Sequence, residues 1–191
     1  SIAAACFMVQ AVGVGTLVTY GVFFGSFVEE LQWSRAVISG ASSLALFLSG
    51  LFAMLVGRLT DRYGPRLLMS VSAVLIGIGH VLMAGIEEIW QLYLFYGVVF
   101  GVGLSAVDVI ALSTTARWFT RSRGMMTGIV KVGTGAGQLF VPLAASFLIA
   151  SFGWRSSYVI LGLGASLLLF LIAQVLKRDP GVGKRSTSVL K

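Results

Sequence analysis

Apolar residues run along this chain in six long blocks, at 6–28, 36–56, 67–86, 89–115, 124–151 and 157–176, with short charged punctuation between them. Each block reaches the roughly 20 residues that a helix needs to cross a hydrocarbon layer of about 30 Å. The punctuation is Glu29-Glu30 to Arg35, Gly57 to Arg66, Glu87-Glu88, Arg117 to Arg123, and Gly153-Trp154-Arg155. After Leu176 the composition changes abruptly to the basic tail KRDPGVGKRSTSVLK. The pattern predicts an all-α membrane protein of six transmembrane helices, with a bundle over 1–176 and the start of a cytoplasmic linker over 177–191. The first block does not read as a signal peptide, because no basic region precedes it and it is too long.

Composition supports this. The chain of 191 residues is 57% hydrophobic and only 11% charged, with mean hydropathy +0.95. Globular proteins carry about a quarter charged residues, so a soluble fold would lack polar surface. The net charge of +7 matters less than its placement. Arg58, Arg62, Arg66, Arg117, Arg121 and Arg123 follow the second and fourth blocks, and the tail adds five more cations. The alternate loops carry Arg35 and Arg155 with four glutamates. Positively charged loops stay in the cytoplasm, so both ends are expected there, in a multi-pass protein of the plasma (inner) membrane. The cations are not interleaved with aromatics on a polar face, which argues against a nucleic-acid partner.

Asp108 and Lys131 are the two formal charges deep within the apolar blocks. A charge at the bilayer centre costs about 2.5–3.5 kcal/mol on insertion scales, so such residues face a bundle interior or a watery path. Asp108 lies nine residues before Arg117 and Lys131 eight after Arg123. At 1.5 Å per residue both sit roughly 12–14 Å from the same rim, on antiparallel neighbours. Thr127, Lys131, Thr134 and Gln138 share one helix face by their spacing of four, three and four. Tyr96, Phe100, Leu104 and Asp108 recur every fourth residue, and the first block offers Gln10, Thr16 and Tyr20. These faces are expected to line a central cavity. Two readings of the charges stay open: a structural ion pair between neighbouring helices, or a cationic site for a small organic anion in which Asp108 neutralises Lys131 or carries a proton.

Other signals carry less. The glycines of GTGAG at 133–137 lack the strand-then-helix context of a phosphate loop. Spaced by four, Gly124/Gly128 and Gly133/Gly137 suit close backbone approach in a membrane. A lone Cys6 and a lone His80 make no metal site, His80 reads as a packing residue, and nothing implies a cofactor. No paired carboxylates or nucleophile–base set suggests an enzyme.

The loop GRLTDRYGPR at 57–66 resembles the Gly-x-x-x-Asp-Arg-x-Gly-x-Arg signature of the major facilitator superfamily, between its second and third helices. WFTRSRGMMTGIVKVG at 118–133 and YGVFFGSFVEELQWSRAVIS at 20–39 are similar to segments of the monocarboxylate and oxalate–formate branch, with Trp118 and Ser122 as departures. The resemblance implies one half, of 3+3 inverted repeats, from a fold of two six-helix bundles. It implies that Asp61 is a conformational latch with Arg62 and Arg66, and Arg121 or Arg123 as local partners. It further implies alternating-access transport of small monocarboxylate-like anions, by proton symport or by antiport, with a second bundle or a homodimer completing the path. The alternatives are a carrier of a neutral or cationic solute, and a six-helix membrane protein that does not transport. The site set is thus Lys131, Asp108, Gln138, Thr134, Tyr20, Tyr96 and Gln10, of which Lys131 rests on intramembrane physics alone.

Overall fold

The computed structural model describes residues 2–119 and 122–176, which are helices joined by tight turns, with no strand among them. The expected linker 177–191 and Arg121 lie outside the described residues. The helices are α1 (Ile2–Leu31), α2 (Arg35–Tyr63), α3 (Pro65–Met83), α4 (Ile89–Trp118) and a run Arg123–Val175. That run contains one non-helical residue, Gly153, at φ 77° and ψ 164°. A straight helix of 53 residues would be roughly 80 Å long, far beyond a bilayer. Gly153 divides it into two limbs, α5 (123–152) and α6 (154–175). The six expected blocks therefore correspond to six helices, each extended or trimmed by a few residues.

The ends have local causes. The Ser34 hydroxyl accepts from the Val37 N–H at 3.3 Å and caps α2, satisfying a donor that the first turn leaves free. The stretch expected as a loop from Gly57 stays helical to Tyr63, because nothing in Leu59 to Arg62 breaks a helix and Arg62 complements its C-terminal dipole. The turn then shrinks to Gly64, at φ 92°, where a side chain would be strained. Pro65 opens α3 at a position that needs no N–H. At the start of α4, the Gln91 side chain accepts from the Glu87 and Glu88 N–H groups at 2.7 and 3.1 Å. Residues Tyr93–Phe100 of α4 adopt a π-helical turn pattern.

Glycines set how closely the helices pack. A Cβ at Gly137 would fall on the Ala11 carbonyl, and one at Gly133 on the Phe7 carbonyl, so α5 touches the α1 backbone directly. A Cβ at Gly13 would lie 2.6 Å from the Val107 methyls, so the Val107 side chain of α4 seats against the α1 backbone. At Gly77 it would lie 2.6 Å from Ser166 Cβ, bringing α3 onto α6. Gly124 and Gly128, expected to act like Gly133 and Gly137, face open space instead.

Between these contacts lies an aromatic core. Tyr20 stacks on Tyr96 at 4.1 Å and Tyr96 on Phe100 at 4.7 Å, while Phe23 meets Tyr158 at 3.9 Å. His80 is buried among them, its Nδ1 3.0 Å from the Ile76 carbonyl oxygen and its ring edge-on to Phe100. This matches its expected packing role. At one rim, the Glu30 carboxylate accepts from Arg155 Nε and Nη2 at 3.2 and 3.0 Å, and from the Trp154 indole. Arg155 Nη1 also donates to the Ala84 carbonyl at 3.1 Å, an acceptor that the end of α3 leaves without an intrahelical partner. One arginine thus ties together α1, α3 and α6.

Outward, the bundle is apolar. Phe47, Met54, Val132, Phe140 and Phe147 are among many large hydrophobic side chains exposed on α2 and α5. Five helical runs are long and apolar enough to span a membrane, counting the broken run once. The protein is an integral, multi-pass membrane protein.

The glycine contact gives a direct test. Gly137→Val should cost about 1–3 kcal/mol through overpacking, read as a lower Tm of the purified protein in detergent. Gly135→Ala, where a Cβ meets nothing within 4 Å, should leave the Tm unchanged or raise it.

Candidate functional site

Asp108 and Lys131, expected at matching depth on neighbouring helices, meet directly. Lys131 Nζ donates to Asp108 Oδ1 at 2.7 Å. The side chains are 43% and 59% exposed respectively, so the pair lies on a surface rather than in the packed core. Gln10, fully buried on α1, donates from Nε2 to the same Oδ1 at 2.7 Å. Its carbonyl accepts from the Thr134 hydroxyl at 3.1 Å. The amide orientation follows from chemistry: a carboxylate only accepts, so the NH2 end must face Asp108. Four residues from three helices therefore form one chain, Thr134–Gln10–Asp108–Lys131.

The backbone contacts explain why they meet. Gly133 and Gly137 flank Thr134, and their lack of side chains brings α5 within reach of Gln10. Gly13, nearly one turn beyond Gln10, lets α1 close on Val107, the neighbour of Asp108.

The pair borders a cavity of about 250 Å³. Val14, Leu17, Leu46, Leu104 and Val107 supply its apolar wall, with Ser49, Ser105, Thr134, Asp108 and Lys131 as polar members. The chemistry offered is one ammonium beside one carboxylate, hydroxyls nearby, and a greasy wall that a small organic tail could occupy. Among the described residues no group of histidine, cysteine and acidic side chains could hold a metal ion.

The remaining expected site residues separate from this cluster. Tyr20 and Tyr96 are buried, and their hydroxyls donate to the Ile38 and Leu17 carbonyls at 2.8 and 3.2 Å. They belong to the aromatic core, not to the cavity wall. The expected stripe on α4 is divided: Tyr96 and Phe100 stack on each other in the aromatic core, while Leu104 and Asp108 border the cavity. Gln138 is exposed one turn beyond Thr134 and does not line the cavity.

At the opposite rim from Glu30, Asp61 forms an ion pair with Arg117, joining the end of α2 to the end of α4. Arg121 lies outside the described residues, and Arg123 is exposed at the first position of α5. The Arg62 guanidinium lies over the Tyr63 ring at 5.4 Å. Arg66 donates to the Gln174 side chain, linking α3 to α6. Arg117 was visible in sequence as one more basic loop residue, with nothing to mark it as the partner of Asp61. The Glu30–Trp154–Arg155 cluster was equally hidden, since its members are more than a hundred residues apart.

The family model described as Major Facilitator Superfamily matches residues 3–190, and the chain belongs to that superfamily. It is 31% identical over 189 residues to human (Homo sapiens) monocarboxylate transporter 11, covering 97% of this chain and 40% of that protein. It is also 31% identical over 160 residues to MFS-type transporter 1 of Ophiocordyceps sp., covering 82% of this chain and 35% of that protein. In structure it is similar to the inward-open Escherichia coli xylose transporter XylE, with a TM-score of 0.74 at 18% identity, over 92% of this chain and 47% of that one. The fold is thus a major facilitator half-bundle, and the chain spans less than half the length of the curated relatives it matches. These relatives are transporters, not enzymes.

The ion pair should show itself in stability. Asp108→Ala and Lys131→Ala should each lower the Tm by stranding a charge, while the double variant should lose less than the two combined, because no charge then lacks its partner. Thermal unfolding of the three variants in detergent checks this.

Proposed function

We propose that this chain is the amino-terminal half of an alternating-access carrier for small organic anions of the monocarboxylate kind. The single observation that carries the reading is the exposed Lys131–Asp108 pair on a mostly apolar cavity wall. Both partners meet on the face that the helices of this chain leave uncovered, where a ligand can reach them together. A substrate carboxylate is chemically equivalent to Asp108 and can replace it on Lys131. Binding then exchanges one ion pair for another on Lys131, and a proton taken up by the released Asp108 removes the charge that would otherwise be stranded at membrane depth. Proton uptake at that step serves symport, and re-forming the Lys131–Asp108 pair between two anions serves antiport.

A second six-helix bundle completes the cavity in this reading. The argument is the open side of the site, together with relatives more than twice the length of the chain. A homodimer would supply the same cover. The Asp61–Arg117 rim is assigned to the cytoplasmic side, which the excess of arginines at that rim supports. Its ion pair is a latch that rocking of the bundles can engage and release, with Arg62 and Arg66 beside it. The apolar exterior suits a bilayer, and the plasma (inner) membrane is the one proposed. Asp108 is the more exposed partner, and this favours, as a second reading, a neutral or cationic solute that uses the carboxylate.

The test is uptake into proteoliposomes holding the protein and its second bundle. Saturable uptake of radiolabelled pyruvate should occur with wild type and be lost with Lys131→Ala, at equal protein content. Asp108→Asn should change the pH dependence of uptake. Unimpaired uptake by Lys131→Ala would remove the lysine from the site. Uptake of an organic cation, competed by other cations and lost in Asp108→Asn, would select the second reading. No flux of either kind would leave a non-transporting bundle.

A further inference from the structure

Both donors to Asp108 use the same oxygen. Lys131 Nζ and Gln10 Nε2 each lie 2.7 Å from Oδ1, while Oδ2 has no hydrogen-bond partner among the described residues. Two donors on one acceptor compete for its electron density, so each is held less tightly than it would be alone. Their surroundings differ. Gln10 is fully buried on the helix that both glycine contacts lock in place, and its carbonyl is anchored by Thr134. Lys131 is half exposed at the end of a flexible stem.

We propose that Gln10 is a positioning residue that shares Asp108 with Lys131 and so frees the lysine to move to an incoming anion. The inference rests on the carrier reading and gives that site its mechanism of release. When the lysine leaves, the carboxylate keeps its bond to Gln10 and is not stranded. Gln10 never touches the substrate. It acts by lowering the cost of parting the ion pair. A packing role alone predicts the opposite local effect, since removing a buried strut loosens the helices and with them the pair.

The readout is the reactivity of the Lys131 amine. Acetic anhydride attacks only the neutral amine, so acetylation slows as the ion pair tightens. Lys177, Lys184 and Lys191 serve as internal references in the same chain, resolved by peptide mass spectrometry. Gln10→Met keeps the shape and removes the amide. It should slow Lys131 acetylation by about tenfold, the scale of one hydrogen bond to a charged group. The slowing should vanish when Asp108→Asn is also present. Thr134→Val, which only unanchors the amide, should slow it less and in the same direction, and it decides the matter if Gln10→Met does not fold. Pyruvate uptake by the folded variants should show a raised KM with the maximal rate retained.

Acetylation of Lys131 that is unchanged or faster in the folded variants overturns the proposal. So does an unchanged KM where wild type transports pyruvate saturably. Slowed acetylation with no saturable pyruvate uptake by wild type would sink the carrier reading while leaving the sharing of Asp108 by Gln10 established.

Discussion

The backbone contact between α1 and α5 is the constraint from which the site follows. Two helices bearing ordinary side chains sit about 8–10 Å apart. A closer approach lets one buried amide on α1 reach Thr134 on α5 and Asp108 on α4 together. Gly133 and Gly137 remove the side chains that would keep the axes apart, and the α1 carbonyls of Phe7 and Ala11 lie where their Cβ atoms would be. Gly13 does the same toward Val107. In a bilayer this matters doubly, because helix association there depends on close packing and polar contacts rather than on escape from water. The glycines therefore create the setting in which an intramembrane charge pair can acquire a third, neutral partner.

Far from the site, the Glu30 rim is fastened through one arginine. Arg155 uses its whole guanidinium, on Glu30, on the Ala84 carbonyl and over the Trp154 ring at 4.5 Å. An arginine can do this because its planar fork offers several donors and a face at once. Behind it stand the stacked rings of Tyr20, Tyr96, Phe100, Phe27 and Tyr158. The other rim carries the exposed Asp61–Arg117 ion pair and the Arg66–Gln174 hydrogen bond between α3 and α6.

Much of this was legible in the residues. The six blocks marked the helices because lipid imposes a hydropathy pattern that no tertiary contact need override. Equal depth of Asp108 and Lys131 could be counted from their shared loop, and the count was right because both helices are regular there. Gln10 and Thr134 were visible as polar residues in apolar surroundings. What failed was phase. The spacing put Tyr96 and Asp108 on one stripe, whereas Tyr96 packs between Tyr20 and Phe100 in the core and Asp108 borders the cavity. The role of Arg117 was hidden for a different reason: it depends on packing across elements, and local composition does not encode it.

The placement of the ion pair carries a last consequence for how such a bundle can exist at all. Sealed between helices, Asp108 and Lys131 would be held by mutual attraction in a medium of low polarity, and separating them would be very costly. Fully exposed to lipid, they would be costlier still to keep. Half exposure on a cavity wall with hydroxyls nearby is the middle ground, where water lowers the cost of separation and the bundle keeps the charges from lipid. Gln10 extends the same logic from the buried side, where its amide shares the carboxylate with the lysine. A pair supported in this way suits the release proposed for it better than it suits a static strut.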